Sequence, residues 1–162
     1  MRPPEIIIYT DGAARGNPGP GGYGAILMHN DLKKELSAGY RLTTNNRMEL
    51  LAVIVALEAL KIQGSQVKVY TDSRYVADAV EKGWLFQWES KHFKKKKNPD
   101  LWLRFLEVYR RHRVKFIWIR GHADNPWNER CDRLAVEASL MPNLPPDEVY
   151  ESLGEGDEGK LI

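Results

Sequence analysis

The sequence predicts a single α/β domain: a three-stranded antiparallel meander, then a strand–helix–strand crossover. Two observations carry this. Early in the chain, short apolar runs are separated by connections too short to hold a helix, as at His29-Asn30-Asp31. Later, such runs alternate with segments of helical character, and that order implies a right-handed crossover and a parallel strand pair. At 162 residues the chain has the size of one domain with a sizeable core.

The first strand runs from Glu5 to Thr10. Its β-branched run Ile6-Ile7-Ile8 suits a strand buried on both faces, in the middle of a sheet. Asp11 ends it, and Gly16-Asn17-Pro18-Gly19-Pro20-Gly21-Gly22 follows as a loop. Gly22 to Met28 reads as the second strand. In the third, Leu36, Ala38, Tyr40 and Leu42 alternate with polar residues or glycine, as in a half-buried strand. Thr44-Asn45-Asn46 opens a helix with capping residues, and Met48 to Leu60 continues it. Leu50, Leu51, Val53, Ile54, Val55 and Leu57 go nearly all round that helix, so it is expected to be buried.

Val67 to Thr71 is the fourth strand, ending at Asp72, and Ser73 caps the helix behind it. The segment Lys82 to Asn98 places Trp84, Phe86, Trp88 and Phe93 among Lys91, His92 and Lys94-Lys95-Lys96-Lys97. Pro99 stands in the first turn of a further helix. Val114 to Ile119 is the fifth strand, Gly121 to Asn125 a loop, and Pro126 begins the last helix. Residues 1–141 are expected to form the domain, and 142–162 an acidic, disordered tail.

Composition narrows the function classes. The overall charge of +2 conceals six acids against one lysine from Pro142 onward, so the tail carries −5 and the body +7. A basic body suits an anionic partner such as nucleic acid, although a solvated surface has the same composition. No stretch is long and apolar enough to span a bilayer, so no membrane role is expected, and no signal-peptide pattern opens the chain. A lone Cys131 makes no internal disulfide, which fits a cytoplasmic protein. Nothing reads as a subunit interface, so a monomer is expected.

Asp11 and Asp72 each end a strand, and if those strands are parallel neighbours both carboxylates emerge at one end of the sheet. Glu49 and Asp132 lie early in apolar helices. Acids gathered in this way repel one another, and a divalent cation relieves the conflict; oxygen ligands suit Mg²⁺ or Mn²⁺. Each acid also has a structural reading. Asp11 belongs to a common turn pair, Glu49 follows Asn46 at capping-box spacing, Asp72 stands where it caps a helix, and Arg130 and Arg133 flank Asp132.

The ordered blocks Tyr9-Thr10-Asp11-Gly12, Gly16 to Gly24, Thr44-Asn45-Asn46-Arg47-Met48-Glu49-Leu50, Tyr70-Thr71-Asp72-Ser73, Gly121-His122-Ala123 and Asn128-Glu129-Arg130-Cys131-Asp132 resemble those of bacterial type 1 ribonucleases H. The resemblance implies a ribonuclease H-like fold: a five-stranded mixed sheet, three strands antiparallel and two parallel to the first, with helices on both faces. It implies an endonuclease that cuts the RNA strand of RNA/DNA hybrids without sequence specificity, leaving 5′-phosphate and 3′-hydroxyl ends. In that family's pattern Asp11 bridges two Mg²⁺ ions, Glu49 and Asp72 hold one and Asp132 the other, with Mn²⁺ as a possible substitute. His122 matches a loop histidine assigned to proton movement or product release.

The resemblance also places Gly12, Asn17, Asn46 and Arg74 toward the RNA sugar edge, and Thr44 and Asn45 at a DNA phosphate. Trp84, Lys91 and Lys94 fall in a segment similar to the family's basic protrusion, here shorter than in some relatives. Asp124 stands where many relatives have glycine, and Ala13-Ala14 where a more polar pair is common. Two rival readings are a non-catalytic hybrid-binding module and a nuclease or recombinase of the same superfamily acting on DNA.

Overall fold

A computed structural model describes residues 5–121 and 124–152. Its elements are β1 (Glu5–Ala14), β2 (Gly19–His29), β3 (Leu32–Thr43), α1 (Asn45–Glu58), β4 (Gln66–Thr71), α2 (Arg74–Glu81), α3 (Trp84–Ser90), α4 (Pro99–Tyr109), β5 (Arg113–Trp118) and α5 (Pro126–Ser139). The strands form one sheet in the order β3-β2-β1-β4-β5. β1, β2 and β3 are antiparallel neighbours; β4 pairs parallel with both β1 and β5. This is the expected mixed sheet, with β1 at its centre.

Alternation along β1 sets the two layers. Ile6 and Ile8 point into the larger core with α1, α2 and α4, while Tyr9 packs on the opposite face with Ile26, Cys131 and Leu134 under α5. α1 is buried as its apolar pattern requires: Met48, Leu50, Ala52, Val53, Ile54, Ala56 and Leu57 have no exposed surface. α5 sits close to the sheet because glycines floor it. A Cβ on Gly24 would stand 2.5 Å from the Cys131 carbonyl oxygen and 2.7 Å from Leu134 Cβ.

Three features differ from the sequence reading. β1 does not end at Asp11. Its parallel pairing with β4 stops at Thr10↔Thr71, but antiparallel pairing with β2 continues to Ala14↔Gly21. Asp11 therefore lies where β1 and β4 part, since only one of its neighbours goes on. Within Lys82 to Asn98, the helix α3 forms, anchored by buried Leu85 and followed by buried Phe93.

The third difference is a correction. The chain does not become disordered at Pro142, because residues 148–152 are helical and the segment packs on the body. The Arg41 N–H donates to the Pro145 carbonyl (2.9 Å), and Asp147 is only 8% exposed. Composition alone reads this stretch as solvated, but a buried arginine, Arg47, draws its carboxylate in. The rest of the expected tail, 153–162, lies outside the described residues. Among the described residues no helix is long and apolar enough to cross a membrane.

Overpacking the floor beneath α5 carries a defined cost. Gly24→Ala is expected to lower unfolding free energy by about 1–3 kcal/mol in urea titrations, since the Cβ meets backbone rather than a flexible side-chain end. A variant as stable as the parent would contradict this packing.

Candidate active site

Three elements bring the acids together. Gly12 lets α1 approach β1: a Cβ there would run into the backbone of Met48 and Glu49. Glu49 is thereby carried against Asp11. The parallel register places Asp72 one residue beyond the last β1–β4 pair. Trp118 Nε1–H donates to the Asp72 backbone carbonyl (3.0 Å), fixing the β4 exit. Ligand oxygens of Asp11, Glu49 and Asp72 lie within 4.8 Å of one another. Asp132, midway along α5, joins them in lining a cleft of about 420 Å³, together with Asn45, Asn46, Arg74 and Tyr75.

The electrostatics follow from this crowding. Asp11 is 5% exposed. Burial, then Asp72, and to a lesser extent Asp132 push its pKa up to about 8, against a Gly12 N–H that favours the carboxylate (2.9 Å). Burial, then Asp11 and Asp72, hold Glu49 well above the usual carboxylate range. Glu49 Oε1 is buried and, among the described residues, has no hydrogen-bond partner. A buried acceptor without a donor, among like charges, is the setting in which a hard divalent cation fits.

The structural readings of the acids lose ground. The α1 N-cap is Thr44, whose Oγ1 accepts from Arg47 N–H (3.2 Å), so Asn46 and Glu49 do not form a capping box. Ser73, not Asp72, caps α2: its Oγ accepts from Val76 N–H. Arg130 is committed to Glu35 (2.8 Å) rather than to Asp132.

Residues 3–140 match the model of the RNase H family. The chain belongs to the ribonuclease H family. It is 54% identical over 157 residues to Ribonuclease H of Rippkaea orientalis, covering 94% of this chain and 96% of that one. With Ribonuclease HI of a Synechocystis species the identity is 51% over 149 residues, covering 88% and 92%. Among solved structures it is similar to LC9-RNase H1, a type 1 RNase H with the type 2 active-site motif (TM-score 0.78, 28% identity, 98% of this chain and 85% of that one). It is also similar to LC11-RNase H1, solved in complex with an RNA/DNA hybrid (TM-score 0.62, 32% identity, 82% and 95%). These relatives mark the chain as a nuclease, and the family's fold is the one described above.

The other residues that the ribonuclease H resemblance singled out take several positions. Asn17 Oδ1 accepts from Asn45 N–H (2.9 Å), and Asn45 Oδ1 accepts from Ala14 N–H, so these amides knit the glycine loop to the start of α1. Asn46 is exposed and lines the acid cleft. Arg74 lines it too, its guanidinium carbon 3.9 Å from the Trp118 ring centroid. Trp84, 42% exposed, lines a second groove with Asn46, Tyr75 and Trp88, whereas Trp88 also packs edge-on against buried Trp102. Lys91 and Lys94 are exposed but do not line that groove; Lys95, Lys96 and Lys97 do. His122 lies outside the described residues.

Sequence reasoning missed Tyr75, which lines both hollows, and Trp118, which holds both Arg74 and the Asp72 carbonyl. It also passed over Arg47, whose signal was a full charge inside an otherwise apolar helix.

The raised Asp11 pKa sets a pH dependence for the metal-free protein. A carboxyl whose pKa is raised on folding contributes stability that is fully present below its unfolded value near 3.8 and lost as pH climbs through about 8. The loss is up to about 1.4 kcal/mol per pH unit. In EDTA, Asp11→Asn should therefore gain on the parent in thermal midpoint as pH rises from 5 to about 8 and hold that gain above it. A difference independent of pH would contradict the assignment.

Proposed function

We propose that the chain is an endoribonuclease that hydrolyses the RNA strand of RNA/DNA hybrids, uses Mg²⁺, and leaves 5′-phosphate and 3′-hydroxyl ends without regard to base sequence. One observation carries the reading: buried Asp11 and half-buried Glu49 and Asp72 share a cleft with Asp132, and that cleft meets a lysine- and tryptophan-lined groove at Asn46 and Tyr75. The first suits phosphodiester chemistry and the second suits a polyanion with exposed sugars and bases. The hybrid bound by the relative LC11-RNase H1 supports the choice of substrate.

In this reading Asp11, Glu49, Asp72 and Asp132 hold two divalent ions, with Mn²⁺ able to replace Mg²⁺. Bound there, the ions supply Lewis acidity and a hydroxide equivalent at neutral pH. The chain's own residues do the rest. Burial of Asp11 and Glu49 excludes competing water and keeps the carboxylates poorly solvated, so that they favour a cation over bulk solvent. Gly12, Asn17, Asn46 and Arg74 face the RNA strand, where 2′-hydroxyls distinguish it from DNA. Thr44 and Asn45, at the N-terminus of α1, receive a DNA phosphate. Trp84 packs on a sugar or base of the substrate, and the lysines of the basic segment neutralise its phosphates. His122 moves a proton or helps release product. The chain acts as a monomer.

The test is a labelled-strand cleavage assay on hybrid, all-DNA and all-RNA duplexes, with and without Mg²⁺. Metal-dependent cutting of the hybrid's RNA strand alone is expected. Asp11→Asn should fold and lose at least about 100-fold in kcat, the scale of removing one preorganised contact to developing charge. Full activity in that variant would overturn the metal-site roles. Tight binding without cutting would identify a hybrid-binding module instead, and cutting of the all-DNA duplex a DNA nuclease.

A further inference from the structure

The residue after Asn46 is Arg47, which is 3% exposed. All five of its guanidinium N–H groups are used. Nε–H and one Nη2–H donate to Asp147 (2.7 and 3.0 Å); the other Nη2–H and one Nη1–H donate to Asp100 (2.8 and 2.9 Å); the last Nη1–H donates to Asn98 Oδ1 (3.2 Å). Asn98 ends the basic segment with φ near 61°, and its Nδ2–H donates to the Tyr75 hydroxyl (3.1 Å). A chain of hydrogen bonds thus runs from α1 through Arg47 and Asn98 to Tyr75. Asn46, Asn98 and Tyr75 all line the lysine-rich groove. Arg47 ties together two walls that are far apart in sequence.

Asp147 lies outside this groove and outside the acid cleft. It belongs to the segment after Pro142 and is held in place by the Thr43 hydroxyl (2.7 Å). A second clasp, Arg41 on Glu151 (2.8 Å), fastens the same segment to β3 at the surface.

We propose that residues 142–152 form a latch that sets the geometry of the hybrid-binding groove, with Asp147 a positioning residue acting through Arg47 on Asn98. The proposal rests on the reading of hybrid cleavage given above. Without the Asp147 charge, a buried guanidinium keeps one carboxylate, turns toward Asp100, and gives up its bond to Asn98. The groove walls then loosen, while Asp11, Glu49 and Asp72 are untouched.

The test uses the full chain and three variants: Asp147→Asn, Asp147→Glu and Thr43→Val. Hybrid Kd is measured by fluorescence anisotropy in EDTA, kcat and KM in Mg²⁺, and folding by circular dichroism. Asp147→Asn is expected to raise both Kd and KM by about tenfold with kcat within about twofold, and Asp147→Glu to restore most of the affinity. Adding Lys96→Ala to Asp147→Asn should cost less affinity than adding it to the parent, because the groove is already displaced. Should Asp147→Asn fail to fold, Thr43→Val decides the matter through a smaller rise in Kd. A folded variant of either kind with parental Kd and KM would overturn the latch while leaving the function intact. A parent chain that neither binds nor cuts the hybrid would remove both.

Discussion

Carboxylates at one buried point repel one another, and the fold must hold them there against that repulsion. Asp11, Glu49 and Asp72 bring oxygens within 4.8 Å while burial raises the first two pKa values. The Gly12 N–H opposes the shift on Asp11 without cancelling it. A structure of this kind spends stability on a site, and what offsets the loss lies elsewhere: in the fully buried α1, in the paired strands, and in the seat of α5. A cation that binds the ionised cluster would return part of that stability by mass action.

The same logic, with the opposite sign, operates at Arg47. There a buried cation is matched by two carboxylates from sequence-distant segments and by a neutral amide, so every donor is satisfied. The two centres are two residues apart on α1, at Arg47 and Glu49. One places the reacting end of the site and the other the groove that leads from it. α1 is therefore both core and organiser. Its apolar residues fix its depth, Thr44 fixes its start, and Gly12 fixes its distance from β1.

Much of this was legible in the chain. The β-branched run Ile6-Ile7-Ile8 marked the central strand, and Ile8 is wholly buried. The all-round apolar pattern of α1 anticipated its depth. The acids that line the cleft drew notice because Asp11 and Asp72 follow apolar strand runs, Glu49 and Asp132 lie in helices, and each falls in a block resembling the family's. Less local matters were not. Asp11 looked like a strand end because the sequence cannot show that one neighbour stops while the other continues. Residues 142–152 looked solvated because their partner, Arg47, stands about a hundred residues earlier. The lysines that line the groove, Lys95 to Lys97, could not be separated from Lys91 and Lys94, because the backbone takes positive φ at His92, Phe93 and Lys95 and no regular periodicity carries through the run.

The central claim is that the clustered acids Asp11, Glu49 and Asp72 form a cation site. Its most direct test is proton release on metal binding: Mn²⁺ titrated into the purified chain in weak buffer at pH 7 and again at pH 9, with metal uptake and proton release both recorded. Because Asp11 titrates near 8 and Glu49 is shifted upward, uptake at pH 7 should expel protons, and fewer at pH 9. Asp11→Asn should weaken uptake and reduce the release. Metal uptake with no proton release at either pH, or uptake unchanged in Asp11→Asn, would contradict the account.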